Sequence, residues 1–150
     1  MQNHEYYMAE ALLQAKEAEA AGEAPVGCVI TDFAGNIIGR GRNRREETRS
    51  AVAHAEIEAI KDACKTLNDW RLAGCVMYVT LEPCPMCAGA VIMSRIDKLI
   101  YGARDEITGS CGSVINLFME SYGQSTQVVG GVSADESSAL LTEFFKKIRN

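Results

Sequence analysis

Pro83-Cys84-Pro85-Met86-Cys87 follows directly on a nearly continuous apolar run, Cys75–Leu81. Such a run is the pattern of a strand covered on both faces. Pro85 suits the first turn of a helix, where its missing N–H has no partner to lose. The stretch is therefore a strand end passing into a helix start, with two cysteines three apart on one helical face. A helix N-terminus favours negative charge and draws a thiol toward thiolate. Upstream, His54-Ala55-Glu56 stands at the start of a second helical pattern, Ile57, Ile60, Cys64 and Leu67 at i, i+3, i+7 and i+10.

These two segments supply the donors of a zinc site. Zinc takes thiolate sulfur and imidazole nitrogen in tetrahedral geometry. Cys84 and Cys87 balance its two charges, and neutral His54 makes a third ligand. Three protein ligands leave the fourth position open, which marks a catalytic rather than a structural site. Glu56, two residues past His54, points elsewhere than the ion. It can reach a bound water as general base and then general acid. A lone Cys-x-x-Cys also fits a redox pair. A structural zinc ribbon needs a second Cys-x-x-Cys, which the sequence lacks. The joint pattern of His-x-Glu and Pro-Cys-x-x-Cys, each at a helix start, favours catalysis.

The rest of the chain reads outward from this pair. Residues 3–21 predict a helix ending at Gly22. Val26–Ile30 and Ile37–Gly41 predict a β-hairpin around Asp32–Asn36. Residues 43–53 read as a basic loop, and Trp70 as a packing residue in a connection. Asp97–Tyr101 and Gln127–Val132 read as strands, with a short apolar segment, Val114–Met119, between them. Ser133 and Glu136 predict a capping box. It opens a last helix with Leu140, Phe144 and Ile148 on one stripe, broadened by Leu141 and Phe145. The order predicts one α/β domain spanning 1–150, a central sheet with helices on both faces.

Composition sets bounds. The chain has 150 residues, 47% hydrophobic and 23% charged, as in an ordinary globular protein. No apolar run approaches the ~20 residues of a membrane span. The start, Met1-Gln2-Asn3-His4-Glu5, has no basic region leading into an apolar core, so a cytoplasmic location is expected. Cys28, Cys64 and Cys75 fall in apolar patterns and read as small core residues. Cys111 is assigned no role, and His4 reads as a residue of a frayed terminus. The net charge is −5, of which −4 falls in residues 1–25. Arg40, Arg42, Arg44, Arg45 and Arg49 crowd into ten positions, and Lys146, Lys147 and Arg149 end the chain. Such patches can attract phosphates on an acidic protein, or can be solvated loop and helix-end charges.

On these residues the chain resembles the zinc-dependent cytidine deaminase superfamily, and within it the bacterial tRNA-specific adenosine deaminases. The likeness is carried by Pro25-Val26-Gly27, Asn43, His54-Ala55-Glu56, Leu81–Ala90, Ser94-Arg95-Ile96, Gly102-Ala103-Arg104-Asp105, Thr108-Gly109 and Ala134-Asp135-Glu136. The resemblance implies a three-layer α/β/α fold with a five-stranded mixed central sheet. It also implies one Zn2+ per subunit and hydrolytic deamination of adenosine to inosine at the wobble position of a tRNA anticodon stem-loop. Glu56 is the implied proton carrier. The Ala55 N–H faces the developing oxygen, Asn43 holds the purine edge and Asp105 helps position the nucleotide. A homodimer is implied as well. One run departs from the family: Ser50-Ala51-Val52-Ala53 replaces the usual Asp-Pro-Thr-Ala before His54. A deaminase of a free nucleobase or nucleoside, such as guanine or cytidine, is the alternative enzyme. A zinc-stabilised RNA-binding scaffold is the non-enzyme alternative, but such a protein has no use for Glu56.

Overall fold

The structure, a computed structural model, describes residues 3–149, with the backbone alone at Arg149. The reading of Met1 and Gln2 lies outside the described residues. Five strands form one mixed sheet in the order β2-β1-β3-β4-β5. They are β1 (Gly27–Thr31), β2 (Ile37–Arg42), β3 (Val76–Leu81), β4 (Lys98–Ala103) and β5 (Gln127–Val129). β1 pairs antiparallel with β2 and β3, while β3, β4 and β5 run parallel. The helices are α1 (His4–Ala20), α2 (Arg45–Thr48), α3 (Ala55–Leu67), α4 (Pro85–Met93) and α5 (Ala134–Arg149).

The period-2 alternation of the strands sorts the core into two halves. Cys28, Ile30, Met77, Val79, Leu99 and Tyr101 face one side, where Ala59 and Ala63 of α3 and Val91 of α4 complete the cluster. Val29, Val76, Tyr78 and Ile100 face the other, beneath Met8, Ala11 and Leu12 of α1 and Leu140 of α5. This is the expected α/β/α sandwich. The sheet brings the C-terminal end of β3 beside the start of α3, where the zinc-ligand candidates lie.

α3 buries a different face from the predicted stripe. Ala55, Ala59 and Ala63 are fully buried, Ile57, Ile60 and Cys64 are half-buried, and Leu67 is 40% exposed. The cause is the strand beneath. Gly39 and Gly41 of β2 carry no side chain, so the helix lies close enough for alanines alone. A Cβ at Gly39 would come within 2.6 Å of the Ala59 carbonyl, and one at Gly41 would overlap the Ala55 carbonyl and the Ala59 nitrogen. Gly41→Ala is therefore expected to cost about 1–3 kcal/mol by overpacking. It should also weaken zinc binding, because α3 carries His54 at its N-cap. Urea unfolding together with a zinc titration measures both.

Smaller expectations also change. Ser133 stands at φ 54°, outside the extended conformation of a capping residue, so the predicted capping box is replaced. Ser137 Oγ instead donates to the Ser133 carbonyl at 3.2 Å. His4 is not frayed, since its Nδ1 lies 3.0 Å from the Tyr78 hydroxyl. Trp70 is 54% exposed, with the Arg71 guanidinium 4.7 Å from its ring centre. The basic loop contains the short helix α2, and the last strand stops at Val129.

Candidate active site

His54, Cys84 and Cys87 come together where α3 and α4 begin. Their ligand atoms all lie within 4.8 Å of one another. His54 Nδ1 faces both sulfurs, at 3.7 Å from Cys84 Sγ and 3.5 Å from Cys87 Sγ. A sulfur and a nitrogen on one tetrahedral zinc stand about 3.6 Å apart, given Zn–S of about 2.3 Å and Zn–N of about 2.0–2.1 Å. Donor chemistry and spacing both fit zinc. Local structure explains the placement. His54 and Cys84 are the N-caps of α3 and α4, in extended conformation, and Pro85 occupies the first turn of α4. Cys87 then points inward from the first turn and is fully buried.

The electrostatics suit a thiolate site. The Cys87 thiol, donating to Cys84, and then His54 hold the Cys84 thiol down to about 4. The same bond and burial raise Cys87. Binding a metal must displace that proton. Glu56 is 4% exposed, and burial pushes its carboxyl up to about 7. A carboxyl near 7 exchanges protons readily in both directions at neutral pH. The Ala55 N–H is among the first N–H groups of α3, which have no partner within the helix.

A pocket of about 520 Å3 opens over this group. Asn43, His54, Ala55, Glu56, Cys84 and Asp105 all line it, so every predicted site residue except the buried Cys87 meets it. Asn43 Oδ1 accepts from the Arg45 N–H at 3.3 Å. Asp105 has a local task. Its carboxylate accepts from the N–H groups of Ile107 and Thr108 and from the Thr108 hydroxyl. It therefore shapes a turn at the pocket rim with its own oxygens already engaged.

Several lining residues come from stretches the sequence singled out without naming them as site residues. Leu141 and Phe145, which broadened a helix stripe, form an apolar wall, and Arg45 and Arg104 stand at the rim. Glu82 also lines the pocket and is 2% exposed. Burial works against its charge, yet hydrogen bonds from Ser113, Asp105 and Cys111 hold the carboxyl below its ordinary value. In the sequence Glu82 was a lone charge after an apolar strand, inside the Leu81–Ala90 stretch but with no role assigned. The arginine cluster is largely committed to ion pairs: Arg42 and Arg44 both bind Glu47, at 2.8 and 2.6 Å, and Arg40 faces Glu10 at 3.6 Å. In the departing run, Val52 is 52% exposed and Ala53 is buried.

Fold and site together define a zinc-binding deaminase. The profile of the family described as cytidine and deoxycytidylate deaminase zinc-binding region matches residues 1–103, and the chain belongs to that family. More particularly, it is 46% identical over 150 residues to the tRNA-specific adenosine deaminase of Bacillus subtilis (strain 168), covering 99% of this chain and 92% of that one. A solved structure from work on A-to-I editing by tRNA:A34 deaminases at the wobble position superposes with a TM-score of 0.87. It is 39% identical and covers 91% of this chain and 99% of its own. A guanine deaminase from Nitrosomonas europaea gives a TM-score of 0.85 at 27% identity, over 96% of this chain and 85% of that one.

Proposed function

We propose that this chain hydrolyses adenosine to inosine at the wobble position of a tRNA anticodon stem-loop, acting as one deaminase unit over its full length. The observation that carries the chemistry is the buried Glu56 beside a His54–Cys84–Cys87 group with zinc spacing. The substrate reading is supported by the likeness to tRNA-specific adenosine deaminases over nearly the whole chain.

His54, Cys84 and Cys87 would hold the zinc, which when bound supplies water acidified toward a pKa of ~7. Glu56 takes a proton from the attacking water and passes it to purine N1 while a carbon–oxygen bond forms at C6. Glu56 then carries the second proton to the C6 amine. The carbon–nitrogen bond breaks and ammonia leaves, so water and adenosine become inosine and ammonia. The Ala55 N–H stabilises the developing oxygen. Asn43 reads the purine edge, and Leu141 and Phe145 supply an apolar wall that excludes water. Asp105 sets the rim through its turn, and Arg45 and Arg104 face the phosphates.

A homodimer and a cytoplasmic location belong to the same proposal. α4 and the 3-10 turn Leu117–Met119 packed beside it carry Met93 and Met119, 67% and 80% exposed, an apolar surface that a second copy can cover. Among the described residues no helix is long and apolar enough to cross a membrane. The guanine deaminase likeness supports a second reading, a free nucleobase deaminase. Incubation of the zinc-loaded protein with a wobble-adenosine stem-loop, and in parallel with guanine, cytidine and free adenosine, separates the two. Inosine in the stem-loop supports the first reading; ammonia from the free compounds alone supports the second.

A further inference from the structure

Two buried carboxylates take no part in these proton transfers, and each grips a loop that lines the pocket. Glu82, at the end of β3, accepts from Asp105 N–H at 3.1 Å and Cys111 N–H at 2.8 Å. It also accepts from Ser113 N–H at 3.2 Å and from the Ser113 hydroxyl. Glu23, also 2% exposed, accepts from Glu46 N–H at 3.1 Å and Glu47 N–H at 2.7 Å, next in sequence to Arg45 of the pocket lining. We propose that Glu82 is a positioning residue whose carboxylate clasps residues 105–113 and so sets the wall of the pocket against which the nucleotide lies. The kinetic part of its test rests on the deaminase reading; the structural part does not.

The segment between β4 and the 3-10 turn satisfies part of its backbone internally, as in Gly109 N–H to the Asp105 carbonyl and Ile107 and Thr108 N–H to the Asp105 carboxylate, but the N–H groups of Asp105, Cys111 and Ser113 find their acceptor outside it. Glu82 supplies one to three of its N–H groups at once. The attachment point gives this reach. Glu82 is two residues before Cys84, and the Pro83 carbonyl accepts from the N–H of fully buried Ser110 at 2.8 Å. One strand end thus registers both a zinc-ligand candidate and the pocket wall. Gly109 keeps the loop close: a Cβ there would overlap the Asp105 carbonyl and the Glu82 carboxylate.

Glu82→Gln, in the zinc-loaded full chain, tests the clasp. Glu82 Oε2 receives the Cys111 and Ser113 N–H groups; Oε1 receives the Asp105 N–H and the Ser113 hydroxyl. An amide has one acceptor oxygen, which stays with the first pair. Its NH2 then faces the second pair, where the hydroxyl can turn to accept but the Asp105 N–H cannot. Hydrogen exchange at Asp105 should therefore quicken about tenfold, with Cys111 and Ser113 less affected. KM for the stem-loop should rise about tenfold with kcat within about threefold and zinc at one per chain. Glu23→Gln should leave Asp105 exchange unchanged, which separates a local clasp from general loosening, and Gly109→Ala should reproduce the Glu82→Gln result.

Unchanged Asp105 exchange and KM in Glu82→Gln overturn the proposal. So does loss of zinc in step with kcat at constant KM, which would assign Glu82 to the metal site. If Glu82→Gln does not fold, Ser113→Ala removes one donor from the same carboxylate, and unchanged exchange at Cys111 and Asp105 then overturns it. If the native protein makes no inosine, the substrate reading fails, and exchange alone decides the clasp.

Discussion

Glu56→Ala should leave a folded protein with one zinc per chain and turnover lower by about 10³- to 10⁴-fold. The size of the loss follows from the two proton transfers assigned to one carboxyl. Its retained fold follows from burial: Glu56 is 4% exposed in a small-residue helix face, and an alanine there matches Ala55 and Ala59 beside it. The buried carboxyl, pushed up to about 7, is costly to hold charged, so its removal does not cost stability the way a core leucine would. Single-turnover measurements on a stem-loop, with zinc quantified on the same samples, check this. Turnover within tenfold of the native protein would take the proton-carrier role away from Glu56.

The second large effect is on the metal. Cys87→Ala should reduce zinc affinity by roughly 10²- to 10³-fold, from sharing a site's binding free energy of about 10–16 kcal/mol among four ligands. Activity should fall with the bound zinc. The stability consequence has a clear sign. A ligand that binds only the folded chain stabilises it by RT ln(1 + L/Kd), where L is its free concentration, so tighter binding stabilises more. A chelator should therefore lower the melting temperature of the native protein and have little effect on Cys87→Ala. Equal chelator sensitivity in both proteins would place the zinc elsewhere. Cys28, Cys64 and Cys75 serve as contrast, since they lie in or against the core and replacement by alanine should leave zinc binding intact.

The metal group was legible because its donors are confined to two short segments, each at a helix start, and N-cap geometry follows from local sequence. The sandwich was legible from the near-continuous apolar run that became β3 and from the order of helices and strands. Other features depended on contacts distant in sequence. The face of α3 was misjudged because Gly39 and Gly41 lie 14–20 residues away, and only their pairing with Ala55 and Ala59 makes alanine the buried residue. Glu82 stood in plain view before Pro83, but its partners, Asp105 to Ser113, begin 23 residues later. The Ser133 capping box failed because Ser133 stands in the left-handed region, at φ 54°, where a capping residue would be extended. Arg40, Arg42 and Arg44 looked free as a cluster, and their ion pairs to Glu10 and Glu47 appeared only in three dimensions.

Digestion of a wobble-adenosine stem-loop to nucleosides, after incubation with the zinc-loaded protein, tests the central claim most directly. Inosine replacing the wobble adenosine, with the other adenosines intact, is the predicted result. Unconverted wobble adenosine in the presence of one zinc per chain would contradict it.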